Sequence, residues 1–146
     1  MDELKNAREN FAPDQIMQEL RAMFREEACK LLTELGAALL EIEKRSDDKE
    51  QIERAFHAMH TITGSGGACE FHDIVDFTRQ LETIFAKIRS GKARANRDIV
   101  DLTLSARDQI KAMLDRYYHG GSVDESRAAD ILASLKDLVQ GAGRKT

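Results

Sequence analysis

The feature that most constrains this chain is a pattern of apolar residues at helical spacing, interrupted four times and nowhere replaced by strand alternation. In the first run they recur at Ile16, Leu20, Met23, Phe24, Leu31, Leu35, Ala38, Leu39 and Ile42. At ~3.6 residues per turn these positions share one face for about eight turns, so the helix needs partners along its length. Pro13 suits the first helical position, where its missing N–H costs nothing, and Asp14 and Glu19 favour the positive end of the dipole. Ser46-Asp47-Asp48 breaks the pattern, and Asp47 followed by Glu50 reads as a cap for a second helix. That helix turns Ile52, Ala55, Phe56, Met59 and Ile62 inward. The third has the cleanest stripe, at Ile74, Phe77, Leu81, Ile84, Phe85 and Ile88, with Gly91 placed as its C-terminal cap and Lys87, Arg89 and Lys92 at the negative end of the dipole.

Asn96 is a good N-cap for a fourth helix with Ile99, Leu102, Ala106, Ile110, Met113 and Tyr117 inward, ended by Gly120-Gly121. Ser122 and Glu125 form a capping box for a fifth, with Ala128, Ile131, Leu132, Leu135, Leu138 and Val139 inward. Five amphipathic helices joined by short loops imply an all-α fold. The expected form is an antiparallel four-helix up-and-down bundle with the fifth, C-terminal helix packed against it. Residues 1–12 read as a polar N-terminal tail, 13–140 as the bundle domain, and 141–146 as a flexible C-terminal tail or the start of a linker.

Composition excludes several classes. The 146 residues fit one domain, and the single proline argues against a β fold rich in turns. A formal charge of −4 gives no basic face for nucleic acid. No apolar run approaches the ~20 residues needed to cross a bilayer, and the N-terminus lacks the apolar core of a signal peptide. Cys29 and Cys69 have no metal-ligand spacing and read as free thiols in a reducing compartment, which points to the cytoplasm.

One stretch is not ordinary helix: Phe56-His57-Ala58-Met59-His60-Thr61-Ile62-Thr63-Gly64-Ser65-Gly66-Gly67. Glu53, His57, His60 and Gly64 follow one another at spacings of four, three and four, on a line apart from the deepest core positions. His60 therefore sits on a flank that solvent reaches. Gly64 lies one turn beyond it on the same face, leaving room for something large to approach the imidazole. Each glycine costs roughly 1 kcal/mol within a helix, so the run implies either close approach or a loop between the second and third helices. A nucleotide-cradling loop needs a preceding strand and a following Lys-Ser or Lys-Thr, and neither is present.

His60 through Ala68, followed by Phe71 and the Leu81-Glu82 pair, resembles the histidine phosphotransfer (HPt) family, and within it the phosphotransfer domains of CheA-type chemotaxis kinases. The family pattern is His-x-x-Lys-Gly-x-x-Gly with a glutamate on the neighbouring helix. The resemblance spans about residues 14 to 140 and implies an HPt-like bundle in which His60 is the phosphoacceptor. A histidine kinase catalytic domain would supply the phosphoryl group, holding ATP and Mg itself, and a response-regulator receiver domain would take it. The domain alone would bind no cofactor and carry no ATP site, while a CheA-type parent would be a protein histidine kinase. Glu82 matches the family glutamate and would orient the imidazole by accepting a hydrogen bond from one ring nitrogen, as carboxylates orient metal-bound histidines.

The family lysine three residues after the histidine is Thr63 here. Arg79, one turn before Glu82, is the candidate compensating charge. His57 reads as part of the docking face. The resemblance further implies a monomer in isolation, with no membrane insertion.

Two other readings of the residues stand beside this one. In one, the bundle is an adaptor and His60 has no chemistry. In the other, His57 and His60 bind a metal with Glu53 or Glu82, although zinc needs three or four well-placed ligands.

Overall fold

The computed structural model describes residues 13–144. The expected tail over 1–12 lies outside the described residues, as do 145 and 146. Five helices follow in order: α1 (Pro13–Lys44), α2 (Lys49–Ala68), α3 (His72–Arg89), α4 (Arg97–His119) and α5 (Glu125–Arg144). No strand occurs among the described residues. Helix α1 packs on α2, α2 on α3, α3 on α4, and α4 back on α1, which closes a four-helix ring. Helix α5 lies outside the ring in the groove between α3 and α4. The shared core includes Leu35, Leu39, Ile42, Met59, Ile62, Ile74, Leu81, Phe85, Ile110 and Leu114, all fully buried. No helix among the described residues is long and apolar enough to cross a membrane.

The stripe on α1 does not pack along its whole length. Ile16, Leu20 and Met23 are 43%, 41% and 68% exposed, and the first fully packed residue is Phe24. The reason is length. Helix α1 has 32 residues against 20 in α2 and 23 in α4, so its first turns run past the end of the bundle. The bundle end is fastened a little further on. Arg21 Nε donates to the Cys69 carbonyl at 3.1 Å, the Tyr118 hydroxyl donates to the Arg21 carbonyl, and the Arg21 guanidinium lies over the Phe71 ring. Tyr117, expected inward, is 39% exposed at this same end and places its ring 4.1 Å from that of Phe71.

The caps differ from expectation by small shifts. Helix α2 is capped by Asp48, whose carboxylate accepts from the Gln51 N–H at 3.3 Å, and not by Asp47. Asp124 accepts from the Arg127 N–H at 3.1 Å, which replaces the Ser122 box. Asn96 caps α4 as expected, accepting from the Ile99 N–H at 2.9 Å. Gly91 takes φ +82 just after α3, and the Lys92 N–H reaches back to the Lys87 carbonyl at 2.8 Å, a turn that favours glycine. Helix α5 continues through Gly141 and Gly143 to Arg144, four residues past the expected end of the bundle domain.

Candidate functional site

The glycine run decides how the site is built, because it is not a loop. Helix α2 continues through Gly64, Gly66 and Gly67 to Ala68, and the turn to α3 comes only afterwards. Gly66 is buried where three helices meet, and a Cβ there would make ordinary van der Waals contact with Val75 at 3.4 Å and Phe24 at 3.5 Å. A Cβ at Gly64 or Gly67 would meet nothing within 4 Å. Their bare backbone faces outward beside His60.

Helices α2 and α3 run antiparallel, and three polar rungs join them. At one end Arg89 Nε donates to Glu53 Oε1 at 2.6 Å. In the middle His60 Nδ1 meets Glu82 Oε1 at 2.6 Å. At the other end the Thr63 and Thr78 hydroxyls lie 2.9 Å apart. The central rung fixes the tautomer of the neutral ring. A carboxylate only accepts, so Nδ1 carries the proton and in the neutral imidazole Nε2 holds the lone pair. The His60 side chain is 72% exposed while that of Glu82 is 12% exposed. The carboxylate is thus sheltered in the seam and the imidazole is open to solvent. Phe56, one turn before His60, sets its ring within 9° of parallel to the imidazole at 6.2 Å between centroids.

Thr63 does not project toward the imidazole. It is half-buried, and its hydroxyl lies 3.0 Å from the Met59 carbonyl as well as 2.9 Å from Thr78. The buried Thr78 hydroxyl gives its own proton to the Ile74 carbonyl at 2.7 Å, so Thr63 is the donor across the helices. Arg79 is exposed one turn before Glu82, and no hydrogen bond or ion pair of its side chain occurs among the described residues. His57 is exposed one turn before His60; its carbonyl accepts from the Thr61 hydroxyl at 2.9 Å, and its side chain makes no hydrogen bond or ion pair among the described residues. Among the described residues no group of three or more His, Cys, Asp or Glu is placed to hold a metal, so His57 and His60 lack a ligand set.

The sequence reading missed the first rung and Thr78. From the sequence Arg89 reads as a cation for the helix dipole alone, and Thr78 carries no signal of its own. The signal available was Glu53 at seven residues before His60, already on its line. A groove of about 410 Å³ lies between α3, α4 and α5, floored by Phe77, Met113 and Leu132, and includes neither His60 nor Glu82. His60 stands on an open surface, which suits a macromolecular partner better than an engulfed small molecule.

The displaced titrations lie at the bundle end. Burial pushes the Cys69 thiol up, with Arg21 opposing. Burial, then the hydrogen bond with Asp73, pushes the Tyr117 phenol up, and burial does the same to Tyr118.

Comparison with known proteins places these features in a family. Residues 19–119 match the model of the Hpt domain. The chain is 38% identical over 122 residues to the chemotaxis protein CheA of Borreliella burgdorferi, covering 84% of this chain and 14% of that one. It therefore spans about one-seventh of that relative's length. The solution structure of the histidine phosphotransfer domain of CheA superposes with a TM-score of 0.73 at 29% identity, covering 83% of this chain and 92% of the other. The phosphorylated P1 domain of CheA3 in complex with CheY6 from R. sphaeroides gives a TM-score of 0.73 at 19% identity, covering 85% and 98%, a likeness of fold.

Proposed function

The chain belongs to the Hpt domain family, and from that premise we propose that it is a phosphoryl carrier of chemotaxis-type two-component signalling with His60 as its acceptor. The observation that carries the reading is the 2.6 Å bond from His60 Nδ1 to Glu82, which leaves Nε2 as an exposed nucleophile.

In the forward step the Nε2 lone pair attacks the γ-phosphorus of ATP held by a histidine kinase domain. The bond from phosphorus to the β,γ-bridging oxygen breaks, and ADP leaves with that electron pair. The product ring bears substituents on both nitrogens and is formally cationic. Glu82 stabilises this charge through the Nδ1–H bond, which strengthens as the ring becomes positive. In the return step a receiver aspartate oxygen attacks phosphorus, the N–P bond breaks, and the ring leaves neutral because Nδ1 still holds its proton. The same carboxylate thus assists both directions.

ATP and Mg belong to the partner kinase domain, and this domain holds neither. Gly64 gives the partners access, His57 lies on their docking face, and Arg79 is the cation nearest in register to the phosphoryl position. The complex of a phosphorylated P1 domain with CheY6 supports a receiver domain as the second partner. The cytoplasm is the compartment where both partners meet, and the domain acts as a monomer.

The test is transfer of label from radiolabelled ATP by an excised CheA catalytic core, with His60→Gln alongside. An acid-labile, alkali-stable label that His60→Gln abolishes is the expected result. No label in a folded domain with its cognate kinase would overturn the reading and leave a binding bundle.

A further inference from the structure

One hydrogen bond does not hold an imidazole still. Among the described residues the His60 side chain is hydrogen-bonded through Nδ1 alone, and with 72% of it exposed the ring can swing about that contact. Phosphoryl transfer needs the Nε2 lone pair in line with the phosphorus, and a small angular error lowers the rate steeply. The structure supplies a second contact in Phe56, whose ring lies within 9° of parallel to the imidazole at 6.2 Å between centroids. That separation falls within the range over which aromatic rings attract one another.

Phe56 is itself held in place. It is partly buried and packs against the core. The Arg89 guanidinium carbon lies 4.5 Å from its ring centroid, and Arg89 Nε is bonded to Glu53 Oε1 at 2.6 Å. Glu53 sits one turn before Phe56, and His60 one turn after. The clamp and the imidazole therefore approach Phe56 from opposite ends along α2. Arg89 comes from the last turn of α3, so the clamp spans the same pair of helices as the His60–Glu82 bond.

We propose that Phe56 is a positioning residue for phosphoryl transfer, bracing the His60 imidazole against rotation while the Arg89–Glu53 pair steadies Phe56. This rests on the reading of His60 as the acceptor. Glu82 sets the tautomer and Phe56 sets the ring plane. The two functions are separable, because Glu82 acts in the plane of the ring and Phe56 across it.

The experiment uses the whole chain. Phe56→Leu keeps apolar bulk and removes the ring, and Phe56→Tyr keeps the ring. Circular dichroism establishes that each variant is folded. Multiple-turnover labelling by catalytic amounts of the excised kinase core, at varied domain concentration, gives kcat and KM for the domain, and NMR of unphosphorylated protein reports the order of the imidazole. Phe56→Leu should lower kcat about three- to tenfold, the equivalent of one aromatic contact, with KM unchanged. Its imidazole should lose order, and Phe56→Tyr should restore both. Arg89→Gln should fall between wild type and Phe56→Leu. A wild-type rate and ordered ring in Phe56→Leu would overturn the proposal, as would Phe56→Tyr being as slow as Phe56→Leu. An unlabelled wild-type chain would instead overturn the acceptor reading, and the NMR result, obtained without phosphate, tells the two failures apart.

Discussion

Removing the Glu82 carboxylate is the sharpest perturbation of the site. In the resting protein it accepts one hydrogen bond from a neutral imidazole at 2.6 Å. In the transition state the same bond faces a ring becoming cationic. The resting bond is already assisted by the carboxylate charge, and the developing ring cation adds a Coulomb attraction of about 1 kcal/mol at ~4 Å in water-like surroundings, more where the carboxylate is sheltered. Only this added attraction accelerates transfer, because the resting share lowers ground and transition states alike. It comes to about 1–1.5 kcal/mol, and exposure of His60 favours the lower end through solvent screening. At about 1.4 kcal/mol per factor of ten, Glu82→Ala should slow labelling about five- to tenfold. Glu82→Gln can still accept from Nδ1–H through its amide oxygen, so it preserves the tautomer and should lie between wild type and Glu82→Ala. The assay is the single-turnover rate at saturating kinase, with the tautomer read by nitrogen chemical shifts. Stability should change little, since one partner of the pair is largely in water. A Glu82→Ala chain labelled at the wild-type rate would refute the role given to the carboxylate. So would Glu82→Gln slower than Glu82→Ala.

Three further outcomes follow from the same geometry. Gly64→Ala should stabilise the fold by up to about 1 kcal/mol, because a Cβ there meets nothing; Gly64→Leu should also fold but lose transfer to the receiver domain, and calorimetry beside a transfer assay separates the two. Thr63→Lys should weaken the α2–α3 seam by about 1 kcal/mol through loss of the hydroxyl rung and speed labelling, most clearly in an Arg79→Ala background; an Arg79→Ala chain with unchanged labelling would remove the compensating cation. Stability should fall at alkaline pH. Cys69, Tyr117 and Tyr118 titrate higher in the folded chain than unfolded, so folding favours their protonated forms. That stability is complete below about pH 9 and is lost as pH rises through the displaced values, which melting curves from neutral pH to beyond about pH 10 would follow.

Much of this was readable because helices carry their packing in their period. Every stripe position of α3 is buried, with Val75 and Thr78 added beside it, and Asn96 caps α4 through local chemistry that needs no tertiary information. His60 and Glu82 could be paired in advance because a resemblance tied them together. Their separation of 22 residues says nothing by itself. The misses share a physical cause. Where α1 stops being covered depends on the lengths of its neighbours, so the exposure of Ile16, Leu20 and Met23 is not encoded in α1. Asp47 and Asp48 are equally good caps, and the choice between them is set by where the chain leaves α1. Arg89 satisfies the helix dipole and an interhelical clamp at once, and only the first is local.

Thr63 draws these threads together. Its position is where the family carries a lysine, and the threonine here is folded into the seam between α2 and α3. Its single hydroxyl proton is shared between Thr78 and the Met59 carbonyl, beneath the rim on which His60 stands. A lysine at that position would have a charged end to keep in water and would reach up toward the imidazole. The substitution therefore exchanges a mobile cation at the acceptor for a fixed polar rung one turn below it. The exchange adds a hydroxyl contact between the two helices that carry His60 and Glu82, and under the proposed function it leaves the phosphoryl charge to be neutralised by another residue. On this chain the cation available in register is Arg79, exposed one turn from Glu82 and with no competing partner among the described residues. A fixed polar rung thus stands where the family pattern has a cation, and under the proposed function Glu82 and the bracing of the imidazole take a larger share of the catalysis.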